Sequence, residues 1–351
     1  MKKIVLTGGG SSGHVTPNIA LIPVLKKLGY EVHYIGSLNG IEKQLIEKEG
    51  LPYHPINAGK LRRYFDLKNV TDIFRVMDGF RQSIAILGKL KPDVVFSKGG
   101  YVSCPVVWAA WVKRIPAIIH ESDITPGLTN KLSMPFAKKI CFTFPESQKH
   151  MPPEKGILTG IPIRDKILRG NKNEGMQICG FTSKKPVIMV MGGSQGAESI
   201  NEAVRNSLNF LLKYFHICHV CGKGNISRNL INVEGYKQFE YVQEEQPHLF
   251  ALADLMVSRA GATSLFEILA LRKPNLLIPL SKKASRGDQI LNAQSFKKQG
   301  LSQVLPEENL NEQTLIEGIM EIYQNRDKYV EIMKQCKTGN GVDEIIKLLE
   351  S

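Results

Sequence analysis

The amino-acid sequence predicts an α/β protein made of two doubly wound parallel-sheet domains in tandem. Short runs of β-forming residues alternate with helix-length segments, a pattern typical of βαβ units and a parallel sheet. The pattern restarts past the middle of the chain, where PVIMVMGGSQGAESINEAV repeats the strand, glycine turn and helix of the opening residues. A length of 351 residues also favours two cores over one.

The first domain is predicted from five strands and the glycine turn that opens it. In chain order the strand segments are KKIVLTG, EVHYIGS, PDVVFSKGG, PAIIHES and KKICFTF. The pattern is interrupted in TGIPIRDK by Gly160 and Pro162. We therefore expect this domain to span residues 1–163.

The second domain is expected over residues 164–335. Its strand segments are PVIMVMG, HICHVCG, DLMVSRAG and PNLLIPL. A polar stretch, GNKNEGMQ (170–177), is interpreted as a loop just beyond the join. The terminal segment, VDEIIKLLES, has helical apolar periodicity. We expect this tail, about 336–351, to join the first domain.

Composition excludes several classes of protein. Apolar residues make up 42% and charged residues 23%, as in globular proteins. The longest apolar runs, such as PVVWAAWV, are about half the length of a membrane span. In the opening MKKIVLTGGG, the apolar stretch before the glycines is too short for a secretory signal. A cytoplasmic protein is therefore expected. Cys218 and Cys221 have CxxC spacing, but without a second pair they are interpreted as buried strand residues.

The net charge of +13 is unevenly distributed along the chain. Residues 1–163 carry 22 Lys and Arg against 12 Asp and Glu, whereas the remainder carries 24 against 21. A positive excess confined to one half predicts an anionic partner for that half, either nucleic acid or an acidic membrane surface.

The first glycine loop predicts a phosphate site. Gly8, Gly10 and Gly13 satisfy GxGxxG between a predicted strand and helix. A nicotinamide site also needs an acid at the end of the second strand, but that strand ends in GSLN. Without the dinucleotide, the glycines still let backbone approach an anion at a helix N-terminus. Two such loops facing one cleft would suit group transfer between phosphorylated molecules.

The second domain offers polar residues at the corresponding places. Ser194 and Gln195 lie between glycines in GGSQGAES, where they suit a diphosphate. Glu267, in the helix after RAG, could accept two hydrogen bonds from a ribose diol, although the segment taken alone favours a solvated surface glutamate. Asp288, Gln289 and Asn292 begin a further helix after an apolar strand. Ligands of such folds lie beyond the carboxyl ends of the strands.

Seven motifs between residues 7 and 293 resemble those of one family. In order they are TGGGSSGH, SKGGYVSCP, IHESDITPGLTNK, TGIPIR, MGGSQGA, RAGATSLFE and RGDQILNA. Together they resemble the MurG family, glycosyltransferase family 28. The resemblance implies a GT-B fold, two Rossmann-like domains facing a central cleft. It also implies inverting transfer of N-acetylglucosamine (GlcNAc) from UDP-GlcNAc to the C4 hydroxyl of MurNAc in undecaprenyl-diphosphoryl-MurNAc-pentapeptide (lipid I), giving lipid II and UDP in peptidoglycan synthesis.

The resemblance also assigns roles to individual residues and implies no cofactor. The implied contacts to UDP-GlcNAc are Ser11, Ser12, Gly13, Asp123, Arg164, Ser194, Gln195, Val242, Glu267 and Gln289. The implied loop for the acceptor diphosphate consists of Gly10, Gly13, Gly99, Gly100 and Tyr101.

The chain departs from the family pattern at several positions. Ser11 and Ser12 replace the Thr and Gly of the commonest loop, and Ile161 replaces Asn in TGNP. Asp123 replaces the amide of HEQN, and an ionised carboxylate accepts hydrogen bonds but donates none. These departures would also suit a diverged GT-B enzyme with another lipid acceptor.

For the reaction, we expect His14 to take the proton from the attacking hydroxyl, with Asp123 or Glu121 in reserve. A neutral imidazole beside the loop suits a general base, but a histidine that only hydrogen-bonds the loop fits equally well. Departing UDP would be stabilised by the Gly192–Gly196 loop and Arg164. No DxD-like pair is placed to carry a metal, so fixed donors are expected instead.

A lipid acceptor accounts for the uneven charge. The segments KLRRYFDLKN and IFRVMDGFRQSIAIL mix arginines with Phe65, Phe74, Met77 and Phe80, which suits an anionic membrane surface. Trp108 and Trp111 are interpreted instead as core residues. We expect a peripheral protein at the cytoplasmic face of the bacterial cell membrane, near other cell-wall synthesis and division proteins.

Several other functions fit the same fold. These are a diacylglycerol glycosyltransferase, a UDP-sugar 2-epimerase and an inactive binding scaffold. A nucleic-acid-binding role finds no recognition helix or RNP-like motif in the sequence.

Overall fold

A computed structural model describes residues 1–59, 68–193, 196–282, 287–336 and 340–350. The chain forms two compact units. Unit 1 consists of Met1–Arg164 together with Asn340–Ser351, and unit 2 consists of Asp165–Gly339. Both are doubly wound parallel sheets, which confirms the predicted fold class.

Unit 1 contains a seven-stranded sheet in the order β3-β2-β1-β4-β5-β6-β7. Its strands are β1 (Lys3–Thr7), β2 (Glu31–Ser37), β3 (Tyr53–Ile56), β4 (Val94–Ser97), β5 (Ala117–Glu121), β6 (Lys139–Phe142) and β7 (Gly156–Leu158). All neighbouring strands are parallel, and Ile4 of β1 pairs with Val32 on one side and Val94 on the other. The acidic residue Glu31 is the first residue of β2, at the amino end of the sheet.

Helices cover both faces of this sheet. They are α1 (Thr16–Lys27), α2 (Ile41–Lys48), α3 (Lys68–Leu90), α4 (Ser103–Val112), α5 (Leu128–Ser133) and, from the end of the chain, α15 (Val342–Glu350). Side chains of β1 alternate between the faces: Leu6 packs with α1 and α15, and Val5 packs with α3 and α4. The terminal segment is therefore an amphipathic helix, as predicted, and Ile345 lies fully buried in the core of unit 1.

Unit 2 contains a six-stranded parallel sheet in the order β10-β9-β8-β11-β12-β13. Its strands are β8 (Val187–Met191), β9 (His216–Val220), β10 (Tyr236–Phe239), β11 (Leu255–Ser258), β12 (Asn275–Leu277) and β13 (Gln303–Val304). Cys218 on β9 and Cys221 just after it are buried free thiols, which confirms that they are core residues.

The helices of unit 2 are α6 (Asp165–Leu168), α7 (Lys172–Cys179), α8 (Glu198–Asn206), α9 (Leu208–Leu211), α10 (Gln246–Leu252), α11 (Ala262–Ala270), α12 (Asp288–Lys298), α13 (Glu312–Gln324) and α14 (Arg326–Gln335). The prediction of a loop over 170–177 is wrong, because α7 occupies most of it. Asn171 caps this helix by accepting from the backbone N–H groups of Asn173 and Glu174, and Met176 packs on the core.

The strand orders locate the candidate site in each unit. The order reverses direction between β1 and β4 in unit 1, and between β8 and β11 in unit 2. In open parallel sheets, ligands bind outside the carboxyl ends of the strands at such a switch point. Each glycine loop follows the first strand of its unit and therefore begins at this place.

Candidate functional site

Two buried side chains hold the start of the glycine loop of unit 1 by hydrogen bonds. The hydroxyl of Tyr34 donates to the carbonyl of Gly8 at 2.7 Å. The amide of Asn18 donates to the carbonyl of Thr7 at 3.1 Å and to the Tyr34 hydroxyl at 3.2 Å. Burial raises the pKa of Tyr34, so its hydroxyl stays protonated and available as a donor. The start of the loop is therefore fixed by groups on α1 and β2.

A second glycine loop, which follows β4, packs directly on the first. The N–H of Gly9 donates to the carbonyl of Gly99 at 3.3 Å. Gly100 has a φ of +82°, and a Cβ there would lie 2.0 Å from the carbonyl oxygen of Gly9. The ring of Tyr101 lies against Gly10. The structure thus brings together Gly10, Gly99, Gly100 and Tyr101, four of the residues predicted for the acceptor diphosphate.

A buried carboxylate that the sequence analysis missed holds this pair of loops. Glu42 of α2 is fully buried, and its Oε2 accepts from the N–H of Gly10 at 3.2 Å. Its Oε1 accepts from the N–H of Ser37 at 3.1 Å and from the Ser37 hydroxyl. The hydroxyl of Tyr101 reaches the same serine at 3.5 Å. Glu42 therefore ties the loop after β1 to the end of β2, and Tyr101 joins the loop after β4 to the same serine.

The remaining loop residues lead into α1. Residues Ser12–His14 form one turn of 3-10 helix, and the N–H of His14 donates to the carbonyl of Ser11 at 3.1 Å. Ser12, Gly13 and His14 are half-buried. A Cβ on Gly8 would lie 2.5 Å from the carbonyl oxygen of His14, so the turn folds back over the start of the loop. His14 therefore lies at the carboxyl edge of the sheet, between β1 and α1.

The exit of β5 carries the other predicted catalytic residues. Glu121 is 4% exposed and accepts three hydrogen bonds: from Asn130 Nδ2 at 2.8 Å, from the N–H of Gly127 at 2.9 Å and from the N–H of Asp123 at 3.0 Å. Burial, with the nearby charge of Asp123, raises the pKa of Glu121 despite these donors. Glu121 thus orders the turn over 122–127, and Asp123, half-buried, sits on that turn.

His120, next to Glu121, is a neutral structural group. Its Nε2 donates to the carbonyl of Gly160 at 2.8 Å. Burial and the neighbouring charge of Lys98 hold the pKa of His120 well below its ordinary value. Its ring ties β5 to the segment that follows β7.

Lys98, the residue after β4, is the second functional candidate that the sequence analysis missed. It is 1% exposed, and its ammonium donates to the hydroxyl of Ser122. Burial lowers the pKa of Lys98 to about 8, against the opposing effects of Glu121 and Asp123. A lysine beside two glycines gave no local signal of burial. Its position became evident only from the pairing of β4 with β1 and β5.

In the glycine loop of unit 2, Gly196 is closely packed. Gly196 has a φ of +80°, and a Cβ there would lie 2.1 Å from the carbonyl oxygen of Cys221. That carbonyl also accepts from Asn201 Nδ2 at 2.9 Å, and Asn201 Oδ1 lies 2.9 Å from Nε2 of buried His219. Burial lowers the pKa of His219 to about 3, so the ring is neutral. The predicted contacts Ser194 and Gln195 lie outside the described residues.

An arginine–glutamate pair joins the elements around that loop. Arg259, just after β11, pairs with Glu307 and also donates to the carbonyl of Ile278 at 3.1 Å. Glu307 accepts from the hydroxyl of Ser199 at 2.6 Å and from the N–H of Ser281 at 2.9 Å. Burial raises the pKa of Glu307, but the bonds from Arg259 and Ser199 outweigh it and leave the pKa lowered. This network links α8 to the ends of β11 and β12.

The other predicted donor contacts of unit 2 lie at the same edge of its sheet or near it. Gln289 Oε1 accepts from the N–H groups of Ala260 at 3.3 Å and Leu280 at 3.1 Å, which fixes the amide beside the ends of two strands. Glu267 on α11 is 4% exposed, so the interpretation as a solvated surface residue is wrong. Val242 is buried after β10.

Three further predicted residues are placed as follows. Asn292 donates to the carbonyl of Ala260 at 3.3 Å, and Asp288 begins α12. Arg164 is the last residue of the first segment of unit 1. Within the part of the chain that the structure describes, no group of three or more His, Cys, Asp or Glu side chains could hold a metal ion.

Unit 1 also exposes apolar side chains on α3 and α4. Phe74 is 71% exposed, Met77 51% and Trp111 58%. The interpretation of Trp111 as a core residue is therefore wrong, although its ring makes an edge contact with Phe136 at 5.1 Å between ring centroids. Trp108 is half-buried and donates to the carbonyl of Leu132 at 3.1 Å. Phe65 lies outside the described residues.

None of the helices in the described ranges is both long enough and apolar enough to cross a membrane. Phe80, on α3, packs against the buried core of unit 1.

Comparisons with known proteins match both halves of the chain. The N-terminal domain of glycosyltransferase family 28 matches residues 4–142, and the C-terminal domain of that family matches residues 187–349. A crystal structure of MurG from Acinetobacter baumannii is 22% identical, covers 100% of this chain and 99% of its own, and has a TM-score of 0.78. That likeness shows the fold.

Two curated relatives carry the name UDP-N-acetylglucosamine--N-acetylmuramyl-(pentapeptide) pyrophosphoryl-undecaprenol N-acetylglucosamine transferase. The protein from Clostridium tetani is 56% identical over 349 residues, 99% of this chain and 98% of its own. The protein from Clostridium botulinum strain Hall is 57% identical over 350 residues, 100% of this chain and 99% of its own. These findings confirm the resemblance predicted from the seven motifs: the chain belongs to glycosyltransferase family 28.

Proposed function

We propose that this protein transfers GlcNAc from UDP-GlcNAc to lipid I, giving lipid II and UDP. The observation that carries the proposal is the match to curated relatives named for this transfer, at 56–57% identity over nearly the whole chain. The geometry of each unit supports it. Both sheets present a constrained glycine loop at their switch point, where phosphate groups bind helix N-termini and backbone N–H groups.

In this proposal unit 2 holds the donor. The diphosphate lies against the Gly192–Gly196 loop and the N-terminus of α8, and Glu267 binds the ribose diol. A buried carboxylate suits that task, because two hydroxyl donors compensate the cost of keeping its charge away from water. Gln289, oriented by two backbone N–H groups, contacts the sugar. Val242 contacts the uracil through its backbone, and Arg164 approaches the diphosphate.

Unit 1 holds the acceptor diphosphate. The paired loops that contain Gly10 and Gly100 form its backbone cradle, with Tyr101 beside it. Glu42 occupies the N–H of Gly10, so the anion is bound by the following residues, Ser11 to Gly13, at the start of the 3-10 turn that leads into α1.

The chemistry is a direct displacement with inversion. The C4 hydroxyl oxygen of MurNAc attacks C1 of GlcNAc, and the bond from C1 to the diphosphate oxygen breaks, with its electron pair leaving on UDP. His14 accepts the hydroxyl proton. Glu121 is less suited to this role, because the turn over 122–127 already occupies both carboxylate oxygens. Arg164 and the N–H groups of the Gly192–Gly196 loop stabilise the departing UDP.

Transfer of radiolabelled GlcNAc from UDP-GlcNAc to a soluble lipid I analogue tests the activity directly. We expect labelled product with EDTA present, and no transfer to diacylglycerol. Labelled diacylglycerol, or epimerised UDP-sugar without transfer, would contradict the proposal.

His14→Ala tests the base in the same assay, and His150→Ala, which changes an exposed histidine, is the matched control. We expect kcat to fall at least about 100-fold for the first variant, as is usual on loss of a general base, and to be unchanged for the second. A fall of only a few-fold for His14→Ala would show that the imidazole is not the general base.

We also propose that α3 of unit 1 contacts the anionic cytoplasmic face of the cell membrane. Phe74, Met77 and Arg81 recur at helical spacing and are all exposed, and the Arg75 side chain is 65% exposed. Apolar side chains can enter the interface while each basic residue adds about 1 kcal/mol near an anionic surface.

Co-sedimentation of the full chain with vesicles, with and without phosphatidylglycerol, tests the membrane surface. Phe74→Ala/Met77→Ala should weaken binding, whereas Tyr214→Ala/Ile231→Ala, which removes exposed apolar residues from unit 2, should not. Equal binding to neutral and anionic vesicles would refute the proposal.

A further inference from the structure

Lys98 is a buried charged residue beside the first glycine loop of the candidate acceptor site. Its N–H continues the sheet by donating to the carbonyl of Thr7 at 2.8 Å, so the residue is fixed between β1 and β4. Its ammonium donates to the hydroxyl of Ser122, the first residue after β5. The residue is 1% exposed. Burying an ammonium costs several kcal/mol unless charges and hydrogen bonds compensate it, so a lysine here needs partners.

Those partners come from the neighbouring strands. The charged and titratable groups that act on Lys98 are Glu121 and His120 of β5, Asp123 after β5 and Cys141 of β6. Glu121 already accepts three hydrogen bonds from the turn and from Asn130. Lys98 therefore places a cation next to a turn that carries a second carboxylate, Asp123.

Asp123 stands where the family motif has an amide, and it is predicted to contact the transferred sugar. An amide can accept and donate, whereas an ionised carboxylate only accepts and carries charge that must be balanced. The charge of Lys98, which interacts electrostatically with Asp123 and is joined to Ser122 by a hydrogen bond, supplies that balance. Ser122, between the two carboxylates in sequence, links the cation to the turn by a hydrogen bond.

We propose that Lys98 is a positioning residue that holds the Ser122–Asp123 turn and balances the charge of Asp123, so that a carboxylate can serve at this position. The proposal rests on the proposed function, because it assigns Asp123 a contact in the transfer reaction. It predicts that Lys98 and Asp123 act as a unit, and that Lys98 affects the reaction only through the turn.

A double-mutant cycle in the full chain tests this coupling. Transfer to the lipid I analogue is measured for wild type, Lys98→Met, Asp123→Asn and the double variant, with separate kcat and KM for each substrate. We expect Lys98→Met to lower kcat/KM at least about tenfold. The double variant should be at least about fivefold more active than the product of the two single effects, because a neutral amide no longer needs the cation. Effects that simply multiply would overturn the proposal.

Two further variants separate positioning from general loss of packing. Ser122→Ala removes only the hydrogen bond and should cost less than Lys98→Met. Lys273→Met is the matched control, since Lys273 is also a lysine with a pKa lowered by burial, but it donates to the carbonyl of Ala253 at 2.6 Å in unit 2. We expect it to leave kcat unchanged, and a loss equal to that of Lys98→Met would argue against the proposal.

The pH profile gives a measurement that does not depend on folding of Lys98→Met. In Asp123→Asn the amide no longer needs the cation, so the alkaline fall of kcat/KM that follows loss of the Lys98 charge in the wild type should be lost. An unchanged alkaline fall would count against the coupling. If wild type transfers no GlcNAc, the proposed function fails instead. Coupling between the two residues is then read from urea unfolding of the same four proteins, and strictly additive stabilities would overturn it.

Discussion

Replacing Lys98 by methionine should change how the stability of unit 1 depends on pH. Burial lowers the pKa of Lys98 from 10.5 to about 8. Between these values the unfolded chain holds a proton on this lysine that the folded chain has released, so the free energy of unfolding rises with pH. The shift of about 2.5 pH units corresponds to about 3 kcal/mol, gained gradually between pH 8 and 10.5. Below pH 8 both states are protonated, and the slope from this group vanishes.

The assay is urea unfolding followed by tryptophan fluorescence. Both tryptophans of the chain, Trp108 and Trp111, lie in unit 1, so their emission reports on that unit. The quantity to compare is the difference in free energy of unfolding between wild type and Lys98→Met, in which titrations common to both proteins cancel. We expect this difference to grow by about 1.4 kcal/mol per pH unit from pH 8 to 10. A flat difference would show that Lys98 is not desolvated, and a falling one would show that its charged form is favoured.

Three further variants follow from the geometry. Gly100→Ala should cost at least about 2 kcal/mol of stability, because its φ of +82° is left-handed and the new Cβ would meet a backbone oxygen at 2.0 Å; thermal unfolding measures this, and a loss below 1 kcal/mol would contradict it. Glu42→Gln should cost about 1–3 kcal/mol and raise KM for the acceptor without raising KM for UDP-GlcNAc, because a carboxylate that accepts three hydrogen bonds is lost. Arg259→Lys should raise KM for UDP-GlcNAc several-fold, since a lysine cannot contact Ile278 and Glu307 with the same fork; an unchanged KM would refute this.

The sheets could be predicted from sequence because their central strands are buried on both faces. Continuous apolar runs such as VIMVM of β8 indicate buried strands, and a glycine turn follows the first strand of each unit. The edge strands β3 and β7 have no such runs, since only part of their surface is covered. The polar sequence of α7 predicts a loop, but the helix is stabilised by the Asn171 cap and by packing against the core.

The candidate site was predictable only where local spacing reveals it. Glycines must be close in sequence to form a turn, so both loops could be found. Glu42 lies 32 residues from Gly10, Lys98 lies 24 residues from Ser122, and Glu307 lies 108 residues from Ser199. These contacts arise because crossover connections bring the ends of non-consecutive strands to one edge of the sheet. No short sequence motif indicates which residues meet there.

The distribution of buried charge supports the location of the site independently of any motif. Among the described residues, the buried carboxylates and ammonium groups are Glu42, Asp72, Lys98, Glu121 and Glu267. Three of them lie at or just beyond the carboxyl ends of β2, β4 and β5, and Glu267 lies on the helix that follows β11. Buried charges often cost stability that apolar residues of similar volume would not. Their position at the carboxyl ends of the strands is the one expected for charges that serve the proposed sites.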